Sequence, residues 1–170
     1  MDWASAVNAF LEWSRYMIEN FGYPGVFLVS IASTATIFLP VPGFLFILAA
    51  SPFLNPFLLG IVSGAGMAIG EVTGYVLGKG GGAALKRKDM KWLKRGERWF
   101  SEGRGFLFIV IFAATPLPDD VTGIVGGIFN YDVKRFLLAA FIGKTLMNIA
   151  LALAGFYGIN LALSAIGISL

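Results

Sequence analysis

The chain alternates long apolar runs with short breaks of Pro and Gly, and its charges gather in few places. From Asn20 to Gly70, and again from Thr145 to Leu170, there is no Asp, Glu, Lys or Arg. A water-soluble fold cannot cover itself with such stretches. The apolar runs form two similar arms. The first runs from Val26 to about Phe38, breaks at Pro40-Val41-Pro42-Gly43 and resumes through Phe44–Ala50. Asn55 and Pro56 then supply an N-cap and a first-turn residue. They predict a helix reaching about Gly78, some 23 residues or roughly 34 Å, enough to cross a bilayer. The second arm runs from Phe106 to Ala114, breaks at Pro116-Leu117-Pro118-Asp119-Asp120 and resumes to Phe129. Asp132 can cap the helix that follows, which carries Lys134 and Arg135 near its start and is expected to end around Gly155–Gly158.

The short pieces decide the topology. Phe106–Ala114 and Val121–Phe129 are too short to span a membrane alone. A non-helical break at membrane depth is tolerated only where protein covers it or it lines a watery cavity. Re-entrant hairpins broken at Pro40, Pro42, Gly43, Pro116 and Pro118 satisfy both conditions, although spanning helices kinked at Pro would suit the same breaks. One arm precedes a basic loop and the other follows it, so equivalent elements point in opposite directions. The expected fold is all-α: a polytopic membrane protein of two inverted repeats, each a re-entrant hairpin plus a transmembrane helix. It forms a single membrane domain over 1–170, divided into an interfacial helix (2–19), repeat 1 (23–78), a cytoplasmic basic loop (79–105), repeat 2 (106–158) and a C-terminal apolar segment (159–170).

Composition agrees: 57% of residues are hydrophobic and 14% charged, with a mean hydropathy of +0.78. The absence of His and Cys removes serine–histidine hydrolysis, His- and Cys-based metal sites, thiol nucleophiles and disulfides. No metal, cofactor or enzymatic activity is expected. The pI near 9.3 does not point to nucleic acid, because nine of the thirteen Lys and Arg lie between Lys79 and Arg104. That excess places the segment in the cytoplasm of a multi-pass protein of the cell membrane. Leu85, Trp92, Leu93, Trp99 and Phe100 recur among these charges. They suggest an amphipathic helix on an anionic leaflet, and a solvated loop that only sets topology fits equally. Trp3, Val7, Phe10, Leu11 and Met17 share one face of the 2–19 helix, which Phe21-Gly22-Tyr23-Pro24-Gly25 should break. Met1 leads into Asp2-Trp3 rather than a basic region, so a removable signal peptide is not expected.

Few residues remain to carry chemistry. Gly66, Gly70, Gly74, Gly78 and Gly82 recur every four residues, a stripe for close helix approach within the chain or in a homodimer. Beside it runs the row Met67, Glu71, Tyr75, Lys79. A carboxylate as deep as Glu71 costs roughly 2.5–3.5 kcal/mol to insert, so it must be neutral, paired or facing water. Lys144 follows Gly143 as Glu71 follows Gly70, and Asn148 stands where Tyr75 stands in the first arm. Packing of the two long helices at the pseudo-twofold axis would pair Glu71 with Lys144. Asp119 and Asp120 suit a helix N-terminus. Capping needs only one of them, which leaves the other to meet a substrate, proton or cation. Backbone N–H groups at Gly43–Phe44 form the equivalent tip and suit an anionic headgroup.

Gly70-Glu71-x-x-x-Tyr75-x-x-Gly78-Lys79-x-x-Gly82 resembles the G-D/E-x-x-x-Y-x-x-G-R/K-x-x-G stretch of the DedA family, whose core is called the VTT domain. Phe21–Gly25 and Pro40–Gly43 resemble its first hairpin; Pro116-x-Pro118, Gly143 and Gly155-Phe156-Tyr157-Gly158 resemble its second half. The resemblance covers about residues 20–158. It implies an inner-membrane protein with two re-entrant hairpins, akin to translocases of polyprenyl-phosphate carriers and to lipid scramblases, with proton or cation coupling through acidic residues. Glu71, Tyr75, Gly78 and Lys79 match the motif position by position. Phe44 stands where many members have Glu, and residues 113–120 lack the Arg that many carry there. A bidentate phosphate clamp is therefore missing, and Lys144, Lys79 or backbone N–H groups would substitute.

The expected function is translocation of a lipid carrier or phospholipid with a polyprenyl-phosphate-like headgroup, with membrane lipids as partners. A proton- or cation-coupled exporter of small solutes and a non-transporting membrane scaffold are the alternatives.

Overall fold

The computed structural model describes residues 3–35, 43–86, 91–115 and 120–165, and every regular element among them is helical. Eight α-helices follow in order: α1 (Trp3–Ala35), α2 (Gly43–Ala50), α3 (Pro56–Gly70), α4 (Val72–Lys86), α5 (Lys91–Trp99), α6 (Gly105–Ala113), α7 (Asp120–Ile128) and α8 (Val133–Ala165). A π-helical turn, Phe100–Arg104, joins α5 to α6. Two stretches, Pro56–Ala83 and Val133–Gly158, are long and apolar enough to cross a membrane. At 28 and 26 residues they extend about 42 and 39 Å, against a hydrocarbon core of about 30 Å.

Local chemistry sets the joints. α1 bends at Gly22, whose φ of 53° and ψ of −129° favour a residue without a Cβ, and Pro24 just beyond removes a helical N–H donor. The break thus falls where Phe21–Gly25 predicts it. α3 starts as expected: the Asn55 side chain accepts hydrogen bonds from the Phe57 and Leu58 N–H groups at 3.0 and 3.2 Å. Asn55→Ala should cost about 1 kcal/mol, measurable as a lowered midpoint of thermal unfolding in detergent. A single residue, Glu71, joins α3 to α4 with φ −63° and ψ −13°, so the axis carries on. Asp132 accepts from the Arg135 N–H at 2.9 Å and caps α8.

Two boundaries and one helix face differ from expectation. The helix predicted to stop near Gly78 runs to Lys86, so Lys79 lies on a helix and not in the basic loop. Packing explains this, because Gly78 and Gly82 lie directly against α7 at Ile124 and Ile128, and tertiary contact carries a helix beyond its own propensity. α8 continues past Gly158 to Ala165, into the segment counted as a separate C-terminal piece. Finally, α5 and the π-helical turn that follows it turn part of their apolar side toward protein. Gly96 sits on the Phe129 ring, and Phe100 is buried among Phe108, Phe129 and Tyr131. An aromatic cluster within the bundle takes this ring before lipid can.

Glycine brings the helices together. α3 runs antiparallel to α8, with Gly60 against Ile149 and Gly64 against Thr145. Gly66 and Gly70 meet Ser30, Ile31 and Thr34 of α1, while Gly143 meets Val110 and Ala113 of α6. Gly82 meets Ile128 of α7, and Gly155 meets Leu48 of α2 and Ser51 just after it. In α7, Gly123 and Gly127 answer the α4 stripe, lying against the Glu71 and Tyr75 carbonyls. The stripe therefore serves seams within the chain. Two apolar clusters result. One gathers Val26, Val29, Phe46, Ile47, Leu59, Met67 and Ala152; the other gathers Tyr75, Phe100, Ile109, Tyr131, Phe136 and Ala140.

Candidate functional site

Between these two clusters lies a layer of buried polar side chains. Glu71, at the joint of α3 and α4, and Lys144, in the middle of α8, bring Oε1 and Nζ within 3.0 Å. Their side chains are only 1% and 2% exposed, which decides that lipid and solvent do not share the contact. The Thr122 hydroxyl of α7 donates to the other carboxylate oxygen at 3.2 Å. Desolvating two ions is expensive and their attraction repays it only with close geometry and further hydrogen bonds. Such a pair is poor evidence for stability, and in a membrane protein a buried ionisable pair is the first candidate for a functional site.

The layer extends on both sides of the pair. One turn along α8, Asn148 is fully buried. Its amide N–H groups donate to Ser63 Oγ at 3.0 Å and to Met67 Sδ at 3.3 Å, and Ser63 donates in turn to the Leu59 carbonyl at 2.6 Å. Thr34 of α1 donates to the Met67 carbonyl at 3.1 Å. In the other direction Tyr75 is buried, its hydroxyl donating to the Tyr131 carbonyl and its ring 5.1 Å from that of Phe136. Tyr75 thus belongs to the aromatic seal rather than to the polar layer. Lys79 is exposed, its ammonium 6.0 Å from the Tyr75 ring centroid, away from the pair.

The short helices aim their starts at this layer. Gly43, the first residue of α2, lies so close to Met67 that an added Cβ would stand 2.9 Å from its methyl group and 2.9 Å from Ser33 Oγ. The first turn of α7 brings Thr122 and Gly123 to Glu71. Helix N-termini present free N–H groups and a partial positive charge. Pro40, Pro42, Pro116, Pro118 and Asp119 lie outside the described residues, as does the side chain of Asp120, the first residue of α7. Among the described residues no three Asp or Glu gather into a group suited to a metal ion.

Sequence reasoning passed over Ser63, Thr122, Thr34 and Thr145. Only Ser63 carried a signal, since it begins the four-residue row that continues through Met67, Glu71, Tyr75 and Lys79. Nothing in the pattern distinguishes Thr122 from a packing residue.

Fold and site together define an all-α integral membrane protein built around a buried ion pair. Residues 41–157, a span that holds Glu71, Lys144 and Asn148, match the VTT domain. The chain belongs to this family, the DedA family. It is 31% identical over 145 residues to an uncharacterized protein of Methanocaldococcus jannaschii, a match covering 84% of this chain and 89% of the archaeal one. No solved structure matches the chain.

Proposed function

We propose that this protein is a translocase of the cell membrane that moves a lipid carrier or phospholipid by its anionic, polyprenyl-phosphate-like headgroup. One observation carries the reading: a buried lysine, Lys144, pairs with Glu71 beside the first turn of the short helix α7, while the start of the other short helix, α2, lies against Met67, one turn from Glu71 on α3. Paired discontinuous helices aimed at a charged midplane site are a recurring transporter plan. In this reading 23–78 and 106–158 are inverted repeats whose short helices form re-entrant hairpins. Corresponding contacts support it: the helix before each break packs on the long helix of its own half, at Gly70 and Gly143. The helix after each break packs on the other half's long helix, at Gly155 and Gly82.

The headgroup would replace Glu71 as the counter-ion of Lys144, and the prenyl or acyl tail would stay in lipid. Glu71, with Asp119 and Asp120, would take up the proton or cation that couples the cycle. The basic segment 79–105 would face the cytoplasm. Liposomes containing a labelled polyprenyl phosphate test this, by the rate at which headgroups become accessible to an external quencher. Protein-containing liposomes should equilibrate faster than empty ones, and equal rates would sink the proposal. Glu71→Gln should slow the rate roughly tenfold or more, the scale of one lost charge-assisted contact.

One observation favours a second reading, a proton- or cation-coupled exporter of small solutes. Residues 113–120 hold two Asp and no Arg, which suits a cation better than a phosphate. Substrate-driven pH change abolished by Glu71→Gln, without headgroup movement, would select it.

A further inference from the structure

The seam between α3 and α8 carries polar atoms that the ion pair does not use. Asn148 is 0% exposed, and its amide N–H groups are engaged by Ser63 and Met67. Its carbonyl oxygen accepts no hydrogen bond from the described residues. One turn earlier on α8, the Thr145 hydroxyl is buried and likewise has no partner among the described residues. Both residues face α3: Thr145 lies against Gly64, and Asn148 touches Ser63 and Met67. Positions three apart on a helix stand about 5–6 Å from one another, a gap that one small hydrogen-bonding molecule bridges. Across α3, Ser30 Oγ is a third buried oxygen of the same kind. Leaving each such group unsatisfied costs about 1–3 kcal/mol. Lys144 stands one turn before Asn148 on the same side of α8, so a molecule held here sits beside the ion pair.

We propose that the Thr145–Asn148 face of α8 is a water site, holding structural water within the α3–α8 seam as a hydrogen-bonded extension of the Glu71–Lys144 pair. Water fits because the face offers both a hydroxyl and an amide oxygen. A buried water typically makes about three hydrogen bonds to otherwise unsatisfied groups, whereas apolar cavities stay dry. A metal cation fits poorly, since the Lys144 ammonium repels it from one turn away and half of the Asn148 amide is a donor. The site also gives the layer a direction. On one side of the pair Tyr75, Phe136, Tyr131 and Phe100 close the bundle with rings. On the other, Asn148 and Ser63 continue the polar path to the Leu59 carbonyl. Bound water at this face therefore lies on the Asn148 side of Glu71 and Lys144, enclosed between the pair and the apolar cluster of Phe46, Leu59 and Ala152.

This inference rests on the membrane bundle and not on the identity of the cargo. Failed headgroup transport would leave it standing, and a dry seam would leave the transport reading untouched. The chain carries its own reporter, because the Met67 sulfur lies 3.3 Å from the Asn148 amide and Met67 is only 4% exposed. Hydroxyl radicals generated by a brief X-ray pulse arise wherever water is bound and add to a neighbouring thioether, and dissolved dioxygen completes the two-electron oxidation to sulfoxide. In the wild-type protein in lipid nanodiscs, mass spectrometry should find Met67 oxidised, and Asn148→Leu should abolish that oxidation. A wild-type Met67 that stays reduced, or one equally oxidised in Asn148→Leu, overturns the proposal.

Should Asn148→Leu fail to fold, the absence of Cys from the chain provides a second test. Thr145→Cys should react with a small methanethiosulfonate, because a hydrated thiolate attacks its sulfenyl sulfur, forms a mixed disulfide and expels methanesulfinate. Ala152→Cys, two turns further along α8 in the apolar cluster, should not. Equal labelling or equal silence of the two overturns the proposal.

Discussion

Replacing Lys144 with Met is expected to destabilise the bundle by roughly 3–5 kcal/mol, the scale for removing one partner of a buried ion pair. The Glu71 carboxylate would then remain at the centre of the layer, held by Thr122 at 3.2 Å but without the ammonium that stood 3.0 Å away. It must carry an uncompensated charge or take up a proton, and both cost free energy. The double variant Glu71→Gln/Lys144→Met removes both charges and should recover much of the loss, because no uncompensated charge is left in the layer. Denaturant unfolding in detergent measures both. A single variant as stable as the wild type would mean that the contact is not buried in the folded protein.

The second large effect is expected at the α4–α7 seam. Gly78→Ala directs a methyl group at the backbone carbonyl of Ile124, which cannot turn aside as a side chain would. Either α4 or α7 must shift, and overpacking of this kind costs about 1–3 kcal/mol. Two residues on, Gly80 has nothing within 4 Å of an added Cβ. Gly80→Ala should instead stabilise the exposed helix by up to about 1 kcal/mol through propensity alone. The two substitutions are chemically identical and lie on the same helix, so opposite signs in thermal unfolding would isolate the packing seam. Equal effects would show that glycine's flexibility, not its size, is what α4 uses.

The parts of this fold legible in the sequence share a physical cause, in that a local rule leaves little choice. Asn55-Pro56 and Asp132 mark helix starts because few residues satisfy free N–H groups so well, and α3 and α8 begin there. Gly22 and Pro24 break α1 for backbone reasons that no neighbour alters. The charge-free runs end next to Glu71 and Lys144, and that coincidence singled out two residues which the structure sets 3.0 Å apart. What the sequence left hidden depends on contacts distant along the chain. α4 extends to Lys86 because α7, some forty residues later, brings Ile124 and Ile128 against Gly78 and Gly82. Phe100 looked like a lipid-facing ring because its charged neighbours were visible and its partners Phe108, Phe129 and Tyr131 were not. Thr122 and Ser63 went unnoticed because a hydroxyl in an apolar helix normally bonds its own backbone, and only the fold shows which ones turn to a charge or an amide.

The central claim is that the Glu71–Lys144 layer serves transport and is more than a clamp between helices. The Glu71→Gln/Lys144→Met double variant separates the two, since it should keep the fold while removing both charges. Reconstituted in liposomes with labelled polyprenyl phosphate, it should match empty liposomes in headgroup accessibility while the wild type accelerates it. A double variant that moves headgroups at the wild-type rate would contradict the claim and reduce the pair to a structural contact.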